Sequence, residues 1–251
     1  LPPQLGPGLF PQDADEEPAS PAAAAPPLAA PTSEPRATGD SAAADFTPQE
    51  TLFVFDWDDT ILPSSWLQRQ GLRLDSRSRV SAIQREMLGP VAETAARMLR
   101  LAKQQGTVVL LTNAERGWIE LSCQKFLPTL LPTIENIKIV SARTTYETPT
   151  CTSPLDWKVL AFEAEIGRAC GVETLSDPAK RKNIHSLGDS LHEREALMRA
   201  TAELPNCRTK SFKFVEHPDL AQILKQHVLV AHSFREIVQQ DSNLDLTINC
   251  P

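Results

Sequence analysis

The sequence predicts an α/β protein built on a doubly wound parallel sheet. Short apolar runs alternate with longer amphipathic stretches over residues 50–251, and this alternation is typical of strands joined by crossover helices. The runs at 51–55 and 107–111 are apolar at every position after the first threonine, as expected for strands that are buried on both faces. Each ends in polar residues, at the edge of the sheet where ligands bind in folds of this class.

The elements follow from this alternation in chain order. We predict strands at 51–55, 107–111, 136–141, 183–187 and 209–214, and helices near 90–105, 116–126, 155–169, 190–202 and 218–238. Right-handed crossovers would bring residues 56, 112, 158 and 189 to one edge of the sheet, although they are far apart in the chain.

The first 49 residues differ from the rest and are predicted to be a disordered tail. They contain about half of the chain's 21 prolines, with alanine runs and no apolar periodicity, so they lack the apolar surface that folding requires. Eight acidic residues and one arginine lie within residues 1–50, a net charge of −7 that equals the charge of the whole chain. The remaining part, predicted as one domain, is therefore neutral and shows no basic surplus for binding nucleic acid.

Asp56, Asp58 and Thr60 follow the first strand directly, with Asp59 between them. Three carboxylates held this close disfavour joint ionisation, so the cluster requires a bound cation or a role that uses a raised pKa. A calcium loop starting at Asp56 is excluded, because it would need glycine at Ile61 and glutamate at Leu67. Asp59 is predicted to be only a turn or helix-capping carboxylate.

The spacing D-x-D-x-T of Asp56, Asp58 and Thr60 resembles the first motif of the haloacid dehalogenase superfamily, in its phosphatase branch. The resemblance implies that Asp56 attacks phosphorus to form an aspartyl-phosphate. It also implies that Asp58 protonates the leaving oxygen and later activates water, and Thr60 is assigned to substrate binding. A carboxylate nucleophile with an acid two residues away divides one difficult displacement into two easier ones.

Two further features match the middle motifs of this family. Thr112 and Asn113 follow the second strand and open the next helix, where a hydroxyl and backbone amides can cradle phosphate. Lys158 lies in the first turn of the helix that opens at Pro154, a position that disfavours a cation unless it has a function. The resemblance implies that Lys158 pairs with the nucleophile. Its rivals, Lys180 and Lys182, are predicted to be solvated.

The segment Gly188-Asp189-Ser190 resembles the fourth motif. It implies a Mg²⁺ site formed by Asp56, Asp189 and the backbone carbonyl of Asp58. Glu193 is the candidate for a second acid, and the sequence leaves open whether it joins the metal shell.

No gap between these motifs is long enough for a large cap domain. The segment from Thr60 to the helix near Pro90 suits a small flap, in which Trp66 and Arg73 are better explained as a packed ring and a solvated cation than as substrate contacts. Arg143 could bind a second anionic group, or it could pair with Glu147. An open site favours a macromolecular or bulky phosphoester.

The five cysteines form no C-x-x-C pair, and the histidines show no zinc spacing. A reducing, intracellular and cytoplasmic location is the simpler interpretation. The sequence contains no apolar run of membrane-spanning length and no signal segment. Because the chain starts with Leu1, targeting information could precede it.

The sequence therefore predicts a Mg²⁺-dependent phosphatase that takes a phosphorylated substrate, for which the open site suggests a protein as one candidate, and it gives no indication of nucleic-acid binding. Two alternatives remain at this point. One is a fold of the same class that has lost catalysis and serves as an interaction module. The other is a phosphotransferase that passes the phosphoryl group to an acceptor other than water.

Overall fold

A computed structural model describes residues 45–249 and shows a six-stranded sheet in which every strand pairing is parallel. The strands are β1 (Thr51–Asp56), β2 (Thr107–Thr112), β3 (Lys138–Ser141), β4 (Lys182–Gly188), β5 (Cys207–Lys213) and β6 (Leu244–Thr247). Their order across the sheet is β3-β2-β1-β4-β5-β6. The chain thus winds outwards from β1 in both directions, which confirms the predicted fold class.

Helices cover both faces of the sheet. They are α1 (Ser64–Arg69), α2 (Ala82–Gln105), α3 (Trp118–Phe126), α4 (Leu131–Ile134), α5 (Ala142–Tyr146), α6 (Pro154–Cys170), α7 (Val172–Leu175), α8 (Leu191–Thr201), α9 (Leu220–His232) and α10 (Phe234–Gln239). Along β1, Phe53 and Phe55 pack with α2, α3 and α9, whereas Leu52 and Val54 pack with α6 and α8. This alternation explains why β1 is apolar from Leu52 to Phe55.

The helix that follows the first strand begins earlier than predicted. The sequence places its start near Pro90, but α2 begins at Ala82, and Pro90 lies inside it. Ser81 caps the helix through the backbone N–H of Gln84, while the Gln84 side chain accepts from the N–H of Ser81. The segment between β1 and α2 contains only the short helix α1, in agreement with a flap and no large cap.

The folded part also begins earlier than residue 50. Phe46 is buried, with the Arg181 guanidinium 4.4 Å and the Lys210 ammonium 5.2 Å from its ring centroid. Its backbone N–H donates to the side chain of Gln239 over 2.6 Å. The rest of the predicted tail, residues 1–44, lies outside the described residues, as does Cys250.

The prediction that Lys182 is solvated is wrong. Its side chain is fully buried, and its ammonium group donates to the carbonyl oxygens of Asp177, Lys180 and Pro205. Three acceptors replace the water that burial removes. Lys180 is exposed, as predicted. Within residues 45–249 no helix combines the length and the apolar character needed to cross a bilayer.

Candidate active site

Asp56 and Lys158 meet at the carboxyl edge of the sheet. Asp56 is the last residue of β1, and Lys158 lies in the first turns of α6, a helix capped by the side chain of Ser153. The Lys158 ammonium donates to Oδ1 of Asp56 over 2.7 Å, and both side chains are 5% exposed. The fold therefore brings together these two predicted residues, which are 102 positions apart.

Glu193 is the second partner of Lys158. Its Oε2 accepts from the backbone N–H and the hydroxyl of Ser190, over 2.9 and 2.7 Å, and its Oε1 contacts the Lys158 ammonium. Gly188 packs against Glu193 so closely that a Cβ at this position would overlap the glutamate side chain. Glu193 is thus a buried helix cap that positions Lys158. Whether Glu193 also joins a metal shell stays the open question that the sequence left.

Two donors hold the carboxylate of Asp58. Thr112, at the end of β2, donates its hydroxyl to Oδ2 over 3.1 Å. The indole N–H of Trp118, at the start of α3, lies 3.0 Å from Oδ1 and 3.1 Å from Oδ2. Thr112 in turn accepts from the backbone N–H of Ala114, which directs the hydroxyl proton towards Asp58. Thr112 therefore lies at the carboxyl end of β2 and contacts the candidate acid.

Burial raises the pKa of Asp58 to about 7, and the neighbouring charge of Asp56 adds to this shift, while the hydrogen bonds from Trp118 and Thr112 oppose it. Burial also raises the pKa of Asp56, although the Lys158 ammonium favours the charged form. An acid with a pKa near neutrality can both donate and accept a proton at physiological pH. This is the property that the predicted role of Asp58 requires.

Asp189 belongs to the same acidic cluster. Burial raises its pKa well above the usual range, and the charges of Asp56 and Asp59 raise it further. Within the described residues no group of three or more His, Cys, Asp or Glu side chains is arranged as a metal cage. Asp56 and Asp189 offer carboxylate oxygens only. Such a set fits Mg²⁺, which commonly takes one or two carboxylates and keeps several waters.

Asp59 and Thr60 fix the loop after β1. Asp59 is buried in a left-handed conformation, with φ of 49°, and its Oδ1 accepts from the backbone N–H of Ser65 over 2.8 Å at the start of α1. Its assignment as a turn and capping carboxylate agrees with this geometry. Thr60 is fully buried, and its carbonyl lies 2.7 Å from Nε2 of His227. This position suits anchoring of the loop, and the role of Thr60 in substrate binding stays a prediction.

The remaining predicted contacts lie around this centre. Asn113 donates to the carbonyl of Pro154 over 3.2 Å and so ties the second motif to the start of α6. Arg143 pairs with Glu147 over 2.9 Å, the alternative that the sequence left open. Trp66 is buried in the core, as expected for a packed ring, and Arg73 is exposed.

Sequence reasoning missed Trp118 and the contact between Glu193 and Lys158. The capping pattern Ser190-x-x-Glu193 is visible in the sequence and marks Glu193 as a helix cap. Nothing in the sequence marks Trp118, because an indole at the start of a helix is ordinarily a core residue.

Comparison with known proteins identifies no relative: no family model, no curated protein and no solved structure matches this chain. Membership of the haloacid dehalogenase superfamily therefore stays a prediction that rests on the motifs.

Proposed function

We propose that this chain is a Mg²⁺-dependent phosphoester hydrolase that acts through an aspartyl-phosphate on Asp56. The observation that carries the proposal is a buried pair of carboxylates with different surroundings. Asp56 is ion-paired with Lys158, whereas Asp58, two residues away, accepts hydrogen bonds from Thr112 and Trp118 and has a pKa of about 7. The contacts of the two acids differ, and on this basis we assign the ion-paired Asp56 as the nucleophile and Asp58 as the proton donor.

In the first step, Asp56 attacks phosphorus with the carboxylate oxygen that does not bind Lys158. A bond forms between this oxygen and phosphorus, and the bond from phosphorus to the ester oxygen breaks. Protonated Asp58 gives its proton to the departing ester oxygen. Lys158 keeps the Asp56 carboxylate oriented and lies close enough to offset negative charge on the transferring group.

In the second step, Asp58 is a carboxylate and takes a proton from the attacking water. The oxygen of water bonds to phosphorus, the acyl-phosphate bond breaks, and Asp56 is regenerated with release of inorganic phosphate. A magnesium ion held by Asp56, Asp189 and the carbonyl of Asp58 would supply charge neutralisation to the phosphoryl oxygens.

The test is hydrolysis of a panel of phosphoesters, including p-nitrophenyl phosphate, alkyl phosphates and phosphopeptides, by protein treated with a chelator and then with Mg²⁺. We expect chelation to remove activity, Mg²⁺ to restore it, and Ca²⁺ to restore it poorly because its looser coordination misplaces the nucleophile. Activity that survives exhaustive chelation would contradict the metal site. No hydrolysis of any ester with Mg²⁺ present would contradict the proposal as a whole.

The substrate class follows from the short flap. Only α1 and the loop to Ser81 lie between the first motif and α2, so within residues 45–249 this segment forms no domain above the carboxyl edge that would exclude a large substrate. A phosphorylated protein or another bulky phosphoester is therefore the substrate class that we propose, and the phosphopeptides in the panel test it.

A further inference from the structure

Three consecutive side chains at the carboxyl end of β1 are each held by a residue on a crossover helix. Asp56 is bound by Lys158 of α6, and Asp58 is bound by Trp118 of α3. Between them, the indole N–H of Trp57 donates to the hydroxyl of Ser122, also on α3, over 3.0 Å. Two indole hydrogen bonds thus run in opposite directions between α3 and the catalytic loop, the segment from Trp57 to Thr60.

The two α3 residues are four positions apart and therefore lie on the same face of the helix. Trp118 is 1% exposed, Trp57 and Ser122 are fully buried, and Ser122 is fixed by donating to the carbonyl of Ile119 over 3.2 Å. Because neither indole can turn towards solvent, the position of α3 determines where the Asp58 carboxylate points.

We infer that Trp118 is a positioning residue for the Asp58 carboxyl group, which it holds in the orientation needed for proton transfer to the leaving oxygen. The inference rests on the proposed function. An indole nitrogen donates and cannot accept, so Trp118 takes no part in proton transfer itself. It spans both oxygens of the carboxylate, whereas Thr112 reaches only one. Without the indole N–H, the carboxyl group can rotate about its bond to Cβ with Thr112 still attached.

The experiment compares kcat/KM for an alkyl phosphate and for p-nitrophenyl phosphate, because kcat/KM reports the first step and only the alkyl leaving group needs the acid. Trp118→Phe keeps a buried ring and removes the N–H. We expect kcat/KM of this variant to fall at least about tenfold for the alkyl phosphate and less than about threefold for p-nitrophenyl phosphate. This difference is expected when general acid catalysis is impaired. Equal losses on both esters would overturn the inference.

Trp57→Phe is the matched control. It removes one buried indole N–H from the same contact with α3, but the acceptor is Ser122 rather than Asp58. We expect a comparable loss of thermal stability and no dependence of activity on the leaving group. A leaving-group dependence as large as that of Trp118→Phe would mean that general loosening of the loop explains the effect, and the inference would fail.

A double-variant cycle separates this inference from the proposed function. Asp58→Asn alone should lose much more activity on the alkyl phosphate than on p-nitrophenyl phosphate, and adding Trp118→Phe to it should cause no further leaving-group dependence. If Asp58→Asn shows no such dependence, the proposed function fails. If Asp58→Asn shows it and Trp118→Phe does not, only the positioning role fails. Should Trp118→Phe not fold, Trp118→Met provides the same comparison.

Discussion

The buried ammonium group of Lys158 is the counter-charge for two carboxylates of the site. It contacts Asp56 from β1 and Glu193 from α8, and the side chains of all three are at most 5% exposed. A lone cation in this position would be strongly unfavourable, and so would two unpaired carboxylates. The arrangement is therefore most sensitive to loss of Lys158, which would leave two buried carboxylates without a counter-charge.

Replacing Lys158 by methionine tests this dependence. The variant leaves Asp56 and Glu193 buried without a counter-charge, so we expect the free energy of unfolding to fall by about 3–5 kcal/mol in urea titrations. Lys138→Met is the matched control. Lys138 also pairs with a buried glutamate, Glu165, but it is 45% exposed, so its loss should cost at most about 1 kcal/mol. Equal losses for the two variants would show that Lys158 is not stabilising the carboxylates.

The nucleophile is tested by Asp56→Asn. Asparagine retains an oxygen that can accept from Lys158, so we expect the fold and melting temperature to be nearly preserved. Turnover of any ester that the wild type hydrolyses should fall by at least about a thousandfold, because the amide cannot form the acyl-phosphate. Asp156→Asn is the control, since this carboxylate lies two residues before Lys158 but is exposed. A folded Asp56→Asn protein with near-wild-type turnover would refute the assignment.

The connection between α2 and β2 shows how closely the elements pack. Gly106 follows α2 directly, and a Cβ at this position would overlap the backbone of Thr51 in β1, whose carbonyl carbon would lie 2.9 Å away. Its backbone is extended, with φ of 175°, so close approach rather than conformation requires glycine here. Gly167, within α6, has room for a Cβ, which would lie 3.8 Å from Cδ1 of Leu175, an ordinary van der Waals contact.

Alanine at these two glycines should therefore have opposite effects. Gly106→Ala forces β1 and the end of α2 apart, and we expect a loss of about 1–3 kcal/mol in unfolding free energy. Gly167→Ala removes a helix-interior glycine without a clash and should stabilise the protein by about 0.5–1 kcal/mol. Chemical denaturation of both variants provides the measurement. A neutral Gly106→Ala would mean that the connection can move away from Thr51.

The sequence predicted β1 to β5 but not the edge strand β6, and this difference has a physical cause. β1 and β2 are buried on both faces, so their apolar runs are unmistakable. β6 has only two leucines among Leu244–Thr247 and is largely exposed, so its strand conformation depends on pairing with β5 rather than on its own composition. The residues of the first and third motifs meet as predicted. The contact of Trp118 with Asp58 depends on how α3 packs, which no local pattern encodes.

At the scale of the whole molecule, two buried histidines make the stability of the fold depend on pH. Burial lowers the pKa of His227 to about 4 and that of His185 well below its usual value. His185 packs between aromatic rings, 4.5 Å from Phe53 and 6.3 Å from Phe212 between centroids. His227 joins three parts of the fold, since it lies 3.0 Å from the hydroxyl of Thr94 in α2 and binds the carbonyl of Thr60. The native state thus keeps both imidazoles neutral.

The final prediction concerns the fall in unfolding free energy that buried His227 causes at acid pH. Its pKa of about 4 in the folded state lies below the unfolded value of 6.5. As pH falls below 6.5, the unfolded chain therefore takes up a proton that the native protein cannot accept. The penalty is absent above about pH 7 and approaches about 3 kcal/mol near pH 4.

The raised pKa of Asp58 acts in the opposite direction, since the native protein takes up that proton first. The measurement is therefore the difference in unfolding free energy between wild type and His227→Gln from pH 7.5 to 4.5. Glutamine can still donate to Thr60, so the variant should gain stability relative to wild type as pH falls. If the difference for His227→Gln does not change over this range, native His227 takes up its proton as readily as the unfolded chain does, and its neutral bridge between α2 and the loop at Thr60 is wrong.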